Sequence, residues 1–152
     1  MAGLLRLEKI FTKVRNRTKP SFDMDLYIRT LIEDVKETEN SFNAKFKFYV
    51  TPEYCNHNGL LHGGAISTML DNYTYLVVIA ADKLDRTALS TNLTLSFISS
   101  AAAGDELTVT AEVLKIEDEL AHAQAEIWNG GKLVAHGKHT LGFVSRKNYL
   151  LN

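Results

Sequence analysis

The sequence predicts an α+β fold in which a curved antiparallel sheet wraps one long central helix. Three observations predict it. Residues 65–80 are mostly apolar (Ala65, Ile66, Met69, Leu70, Leu76, Val77, Val78, Ile79, Ala80) and contain neither Pro nor Gly. That length favours a buried helix over a strand. Alternating apolar segments follow this helix, and another precedes it. Short turns join the later ones, which implies antiparallel pairing. A solitary long helix buries its circumference most economically against a sheet that curves around it.

The elements run in order. Leu4, Leu5, Leu7, Ile10, Phe11 and Val14 give the first segment a rough helical period. It carries six basic residues against Glu8 alone, a charge of +5, which leaves −6 for the rest of a chain of net −1. A basic amphipathic N-terminus reads as a first helix packed on the domain edge; it also resembles a mitochondrial transit peptide but lacks the Ser-richness of one. Residues 20–33, with Phe22, Leu26, Tyr27, Leu31 and Ile32, read as a short amphipathic helix, and residues 33–38 as an edge strand. Residues 1–39 are thus expected to be a helical and edge segment of the same domain that residues 40–152 complete. Phe42, Ala44, Phe46 and Phe48 alternate with polar residues as a half-buried strand that ends at Pro52.

After the central helix, Asp82 to Arg86 is an exposed connection. Residues 88–99 alternate through Leu89, Thr91, Leu93, Leu95 and Phe97. Leu107, Val109, Ala111 and Val113 form the next strand, and Ala121, Ala123, Ala125 and Ile127 the one after. Asn129-Gly130-Gly131 is a tight hairpin signal before the last strand, Leu133 to Val144. The expected sheet is a four-strand meander with a further strand ahead of it. That architecture is the hot-dog.

Composition bounds the function. One domain is expected from 152 residues. The near-neutral charge argues against general nucleic-acid binding. No apolar run reaches the ~20 residues of a membrane span, so stable membrane insertion is not expected. A single Cys permits no intrachain disulfide, which suits a reducing compartment. A cytoplasmic location is expected, with the mitochondrion left open by the basic N-terminus.

The chemistry concentrates at one place. Asn56-His57-Asn58-Gly59-Leu60-Leu61-His62-Gly63-Gly64 is a polar, glycine-bearing loop that runs into the central helix. Glycines there permit close ligand approach, and bare N–H groups at a helix start favour negative charge. Asp71 then sits inside an apolar segment, where an unpartnered carboxylate is expensive. Apolar surroundings also make a carboxylate a stronger base. A general base and an oxyanion donor are what hydrolysis of an activated acyl group requires. No Gly-x-Ser-x-Gly elbow occurs, so a serine hydrolase is not expected. The spacing of His57, His62 and Cys55 makes no credible metal site.

The run Asn56 to Gly64 followed by Asp71 resembles the signature of hot-dog acyl-CoA thioesterases, in particular the phenylacetyl-CoA-thioesterase-like group. The specific part is His-Gly-Gly, with Asn six residues before that His and Asp nine residues after it. The resemblance implies hydrolysis of an acyl-CoA to free acid and CoA, without metal or redox cofactor. It implies that Gly63 N–H is an oxyanion donor, that Asn56 assists at the thioester or its water, and that Asp71 is a general base or a nucleophile. The helper hydroxyl falls on the strand after the helix, where Ser90 matches best, with adjacent Thr91 expected on the opposite face. His62 and Gly64 shape the turn beside the substrate. Lys138, His139 and Arg86 are candidate contacts to CoA phosphate. Ser99-Ser100-Ala101 departs from relatives that carry a proline after this strand.

Spacing adds an oligomer. Gly63 and Asp71 are eight residues apart, about 12 Å along a helix, while a reacting carbonyl and its water span only about 3 Å. Two subunits are therefore expected to share each site, in a homodimer or a dimer-of-dimers tetramer. Two rivals stand beside this reading. One is a non-catalytic hot-dog protein that binds acyl groups or acts as a scaffold. The other is a hot-dog hydratase or dehydratase, which needs an Asp–His pair, and the sequence sets no His beside Asp71.

Overall fold

A computed structural model describes residues 2–144. Its elements are α1 (Ala2–Arg15), α2 (Met24–Arg29), β1 (Thr30–Glu37), β2 (Phe42–Tyr49), a single 3-10 turn (Pro52–Tyr54), α3 (Gly63–Ala81), β3 (Thr87–Phe97), β4 (Glu106–Ile116), β5 (Leu120–Asn129) and β6 (Lys132–Val144). The six strands form one antiparallel sheet in the order β1-β2-β4-β5-β6-β3. Helix α3 packs against it, and the fold is the hot-dog.

The inner face follows the alternation of the sequence. Phe42, Ala44, Phe46 and Phe48 of β2 are buried, as are Leu107, Val109 and Ala111 of β4 and Ala121, Ala123, Ala125 and Ile127 of β5. Small residues on β5 leave room for α3, whose Ile66, Met69, Leu70, Tyr73, Leu76, Val77 and Val78 are buried. The N-terminal helices close the other end of this core. Phe11 of α1 meets Tyr27 of α2 edge-on at 5.4 Å and stacks on Phe46 at 6.3 Å, and Phe46 stacks on Tyr73 at 4.8 Å. The basic face of α1 points outward: Lys9 and Lys13 are exposed while Leu7, Phe11 and Val14 are buried.

Three expectations change. The helix expected over 20–33 is only six residues long, and β1 begins at Thr30. Thr30 turns the chain: its hydroxyl bonds the Leu26 carbonyl at 2.6 Å and the Tyr73 hydroxyl at 2.7 Å, and its backbone is already extended. The meander is interrupted, because β3 pairs with β6 and not with its sequence neighbour β4. Two strands intervene, so residues 98–105 must cross about three strand spacings, roughly 14 Å. They are held on the way: Leu61 N–H bonds the Ala101 carbonyl at 2.8 Å, and Gly104 N–H the Val50 carbonyl at 2.8 Å.

The third change concerns α3, which does not bury its whole circumference. Gly64, Thr68, Asp71, Tyr75 and Ile79 fall on one stripe at helical spacing, and each is half-buried or exposed. Asp71 therefore stands on an open stripe of the helix and not within its apolar side.

Candidate active site

The loop that leads into α3 is built by its own side chains. Asn56 Oδ1 accepts the N–H groups of Asn58 (2.9 Å) and Leu60 (3.2 Å), an Asx-type turn. Gly59 completes the turn with φ +74°, a left-handed conformation that suits glycine. With Oδ1 engaged, Asn56 can offer only its Nδ2–H donors to a ligand. His62 is the N-cap of α3: its Nδ1 accepts Gly64 N–H at 2.9 Å. The imidazole is thereby fixed with its lone pair on Nδ1.

This cap separates the two glycines. Gly64 N–H is consumed by His62, whereas no hydrogen bond from Gly63 N–H is made among the described residues. A side chain at position 64 would sit 3.0 Å from His62 Nδ1 and disturb the cap. At position 63 an added Cβ would meet only the Phe97 ring, at 3.4 Å. The first N–H of a long helix thus stays bare, with the dipole of α3 behind it.

Asp71 lies two turns further on, and its side chain is 40% exposed. Ser90 of β3 donates to Asp71 Oδ1 at 2.8 Å. A bulge between Ser90 and Asn92 leaves Thr91 unpaired, and its hydroxyl turns to the Thr140 carbonyl at 2.9 Å. Ser90 is therefore the hydroxyl that reaches the carboxylate.

The second neighbour of Asp71 was not visible in the sequence as such. His139 Nε2 lies 3.4 Å from Asp71 Oδ1, and its Nδ1 lies 2.6 Å from Thr74 Oγ1. This corrects two expectations. A His does stand beside Asp71, because β6 crosses α3 there. And His139 is no contact for CoA phosphate, because it is 1% exposed on the inner face of β6. Lys138 points to the opposite face and is exposed, so the two cannot grip one phosphate. Burial pushes the His139 imidazole below its ordinary range and outweighs the attraction of Asp71, so the ring is held neutral. Strand pairing could have hinted at its place: the inward-facing Val109, Ala111, Ala123 and Ala125 predict inward residues on the neighbouring strand, and His139 pairs with Ala123.

Arg86 is also placed elsewhere. It pairs with buried Asp82 at 2.9 Å, donates to the Asp118 carbonyl at 2.6 Å and lies 3.6 Å over the Phe143 ring. Those contacts pin the end of α3 to the β4–β5 turn and commit the Arg86 guanidinium to protein partners. Among the described residues, no three His, Cys, Asp or Glu side chains gather to hold a metal ion.

One carboxylate with a hydroxyl partner, and one bare helix N–H, can together activate a water and stabilise an oxyanion. Comparison with known proteins agrees with that chemistry. Residues 58–136 match the family model described as the thioesterase superfamily. The chain is 29% identical over 140 residues to acyl-coenzyme A thioesterase 13 of Mus musculus, covering 91% of this chain and 92% of that one. Among solved structures it resembles zebrafish thioesterase superfamily member 2 (TM-score 0.76, 24% identity, 91% and 96% of the two chains). It also resembles the E. coli PaaI protein of the phenylacetic acid degradation operon (TM-score 0.75, 18% identity, 95% and 97%).

Proposed function

The chain belongs to the thioesterase superfamily, and from that premise we propose that it hydrolyses an acyl-CoA thioester to a free acid and CoA at a site shared by two subunits. The observation that carries the mechanism is the pairing of Asp71 with Ser90 on the open stripe of α3. Ser90 and His139 both face Oδ1, so Oδ2 is the oxygen presented to a water. Asp71 takes a proton from that water as it attacks the thioester carbon. The carbonyl oxygen becomes an oxyanion and is met by Gly63 N–H of the second subunit. Collapse of the tetrahedral intermediate breaks the C–S bond. CoA leaves as a thiolate and is protonated, and the acid is released.

Asn56 contributes through Nδ2, since its oxygen is held by the turn. His62 and Gly64 act by shaping the helix start, and Lys138 is the remaining candidate for CoA phosphate. A hydratase reading is disfavoured even though His139 stands beside Asp71. In the protomer His139 is fully covered, so it reaches substrate only through Asp71.

The distance along α3 supports a shared site, and so does β3. Leu89 (43%), Phe97 (57%) and Ile98 (55%) are exposed along this edge, beside both Ser90 and Gly63. A second copy seated on this edge would cover them and bring its own Gly63 to Asp71.

The test is thiol release across a panel of acyl-CoAs by wild type and Asp71→Ala. At least one substrate is expected to turn over, with kcat falling about 10²- to 10⁴-fold in the variant, the usual range for a lost general base. No release with any member would contradict the enzyme reading. Unchanged turnover in Asp71→Ala would favour a different base.

A further inference from the structure

Thr74, His139 and Asp71 form a chain behind the proposed base. The Thr74 hydroxyl carries one proton and has three acceptors in reach: the Leu70 carbonyl at 2.6 Å, the Asp71 carbonyl at 3.0 Å and His139 Nδ1 at 2.6 Å. If the proton goes to a carbonyl, Nδ1 must be the donor to Oγ1, and a neutral ring then turns a lone pair on Nε2 toward Asp71. Two acceptors would face each other whenever Asp71 is ionised. If the proton goes to Nδ1, Nε2 carries the hydrogen and presents it to Asp71 Oδ1. Both carbonyls lie within α3, so the helix does not depend on the hydroxyl.

His139 Nε2 is buried and has no hydrogen-bond partner among the described residues. An unpaired buried polar atom costs free energy. The nearest group that can relieve it is Asp71 Oδ1 at 3.4 Å, and hydrogen bonds of this kind tighten when substrate binds. The other surroundings are apolar or neutral: Leu93 of β3 and Ala123 of β5 flank His139, and Ser90 of β3 meets the same carboxylate oxygen. Asp71 is the charged group that acts on the ring.

We propose that His139 is the positioning residue of this site, holding Asp71 Oδ1 through Nε2–H while the Thr74 hydroxyl fixes the tautomer. With Ser90 on the same oxygen, the carboxylate has one orientation and Oδ2 is left for the water. The inference rests on the thioesterase reading for its kinetic consequence, while the tautomer can be read without turnover.

The experiment pairs kinetics with imidazole nitrogen spectra. His139→Leu should lower kcat about 10- to 100-fold, the loss of one hydrogen bond to a charged group, with KM unchanged because the ring does not touch substrate. The acid limb of the kcat–pH profile should move to higher pH in the same variant, because the carboxylate loses a donor. His139→Gln, which can return an N–H to Asp71, should recover most of kcat and the wild-type limb. In wild type at pH 8, the long-range proton–nitrogen spectrum should show His139 protonated on Nε2, and Thr74→Val should weaken that preference. A ring protonated on Nδ1 at pH 8 would overturn the proposal. So would a kcat and acid limb in His139→Leu that match wild type, or a Gln variant no better than Leu. If wild type released no thiol from any acyl-CoA, the enzyme reading would fall, and the spectrum alone would judge the contact.

Discussion

Strands β5 and β3 have similar alternation in the sequence and opposite fates in the fold. The apolar positions of β5, Ala121 to Ile127, are all buried. Those of β3 are not: Leu89 and Phe97 are exposed, and Leu93 and Leu95 only half-buried. β5 lies between two strands beneath α3, whereas β3 is an edge strand, as β1 is at the far side, and it is bulged at Thr91 and paired on one side. Alternation reports that a strand has an apolar face. It does not report whether the same chain supplies the cover. An uncovered apolar edge next to Ser90 and Gly63 is where a second copy is expected, and edges left open in this way invite pairing.

If two copies meet on the open edge as proposed, wild type should sediment as an oligomer, and charges placed there (Leu89→Lys with Phe97→Asp) should give a folded monomer with thiol release at background. An active monomer would show that β3 covers nothing essential. Truncation should then separate the strands: Ile127→Ala should cost about 2–5 kcal/mol in denaturant unfolding, as for a core site. Leu89→Ala should cost under about 1 kcal/mol in the protomer yet raise the dimer dissociation constant.

The smallest effect is one of pH. Burial lowers His139 below its ordinary value of 6.5, so on acidification the unfolded chain takes up this proton first. Its contribution to stability is complete above that value and is lost as pH falls through the lower, folded one. The melting temperature of wild type should therefore drop more steeply from pH 7.5 to 5.5 than that of His139→Gln. Parallel curves would show that the ring is not held neutral.

Much of this was legible in the sequence because it is local. The alternation of β2, β4 and β5, the turn at Asn129-Gly130 and the length of α3 depend on neighbours in the chain. The Asn56 to Gly64 loop is equally local, since its turn and cap are made by its own side chains. What escaped depends on contacts distant in sequence. The crossover that sets β3 beside β6 was hidden because a connection of eight residues does not announce its destination. The placement of His139 against Asp71 was hidden because a His on a strand reads alike on either face until the register is known. Arg86 read as a free cation because, apart from Asp82 four residues away, its partners Asp118 and Phe143 reach it only when the helix end docks on the β4–β5 turn.

A shared site requires Gly63 of one subunit to serve Asp71 of another. Gly63→Pro tests it cleanly. Proline is tolerated at the first position of a helix and removes only the N–H in question, and His62 already has the extended backbone (φ −68°, ψ 138°) that a following proline requires. Gly63→Pro alone should lose about 10²- to 10³-fold in kcat, as for a lost oxyanion donor. Asp71→Ala alone should be comparably inactive. When the two variants are unfolded together and refolded as an equal mixture, half of the dimers are hybrids, each with one intact site, so thiol release should return to about a quarter of wild type. A mixture no more active than the two variants measured separately would contradict the shared site.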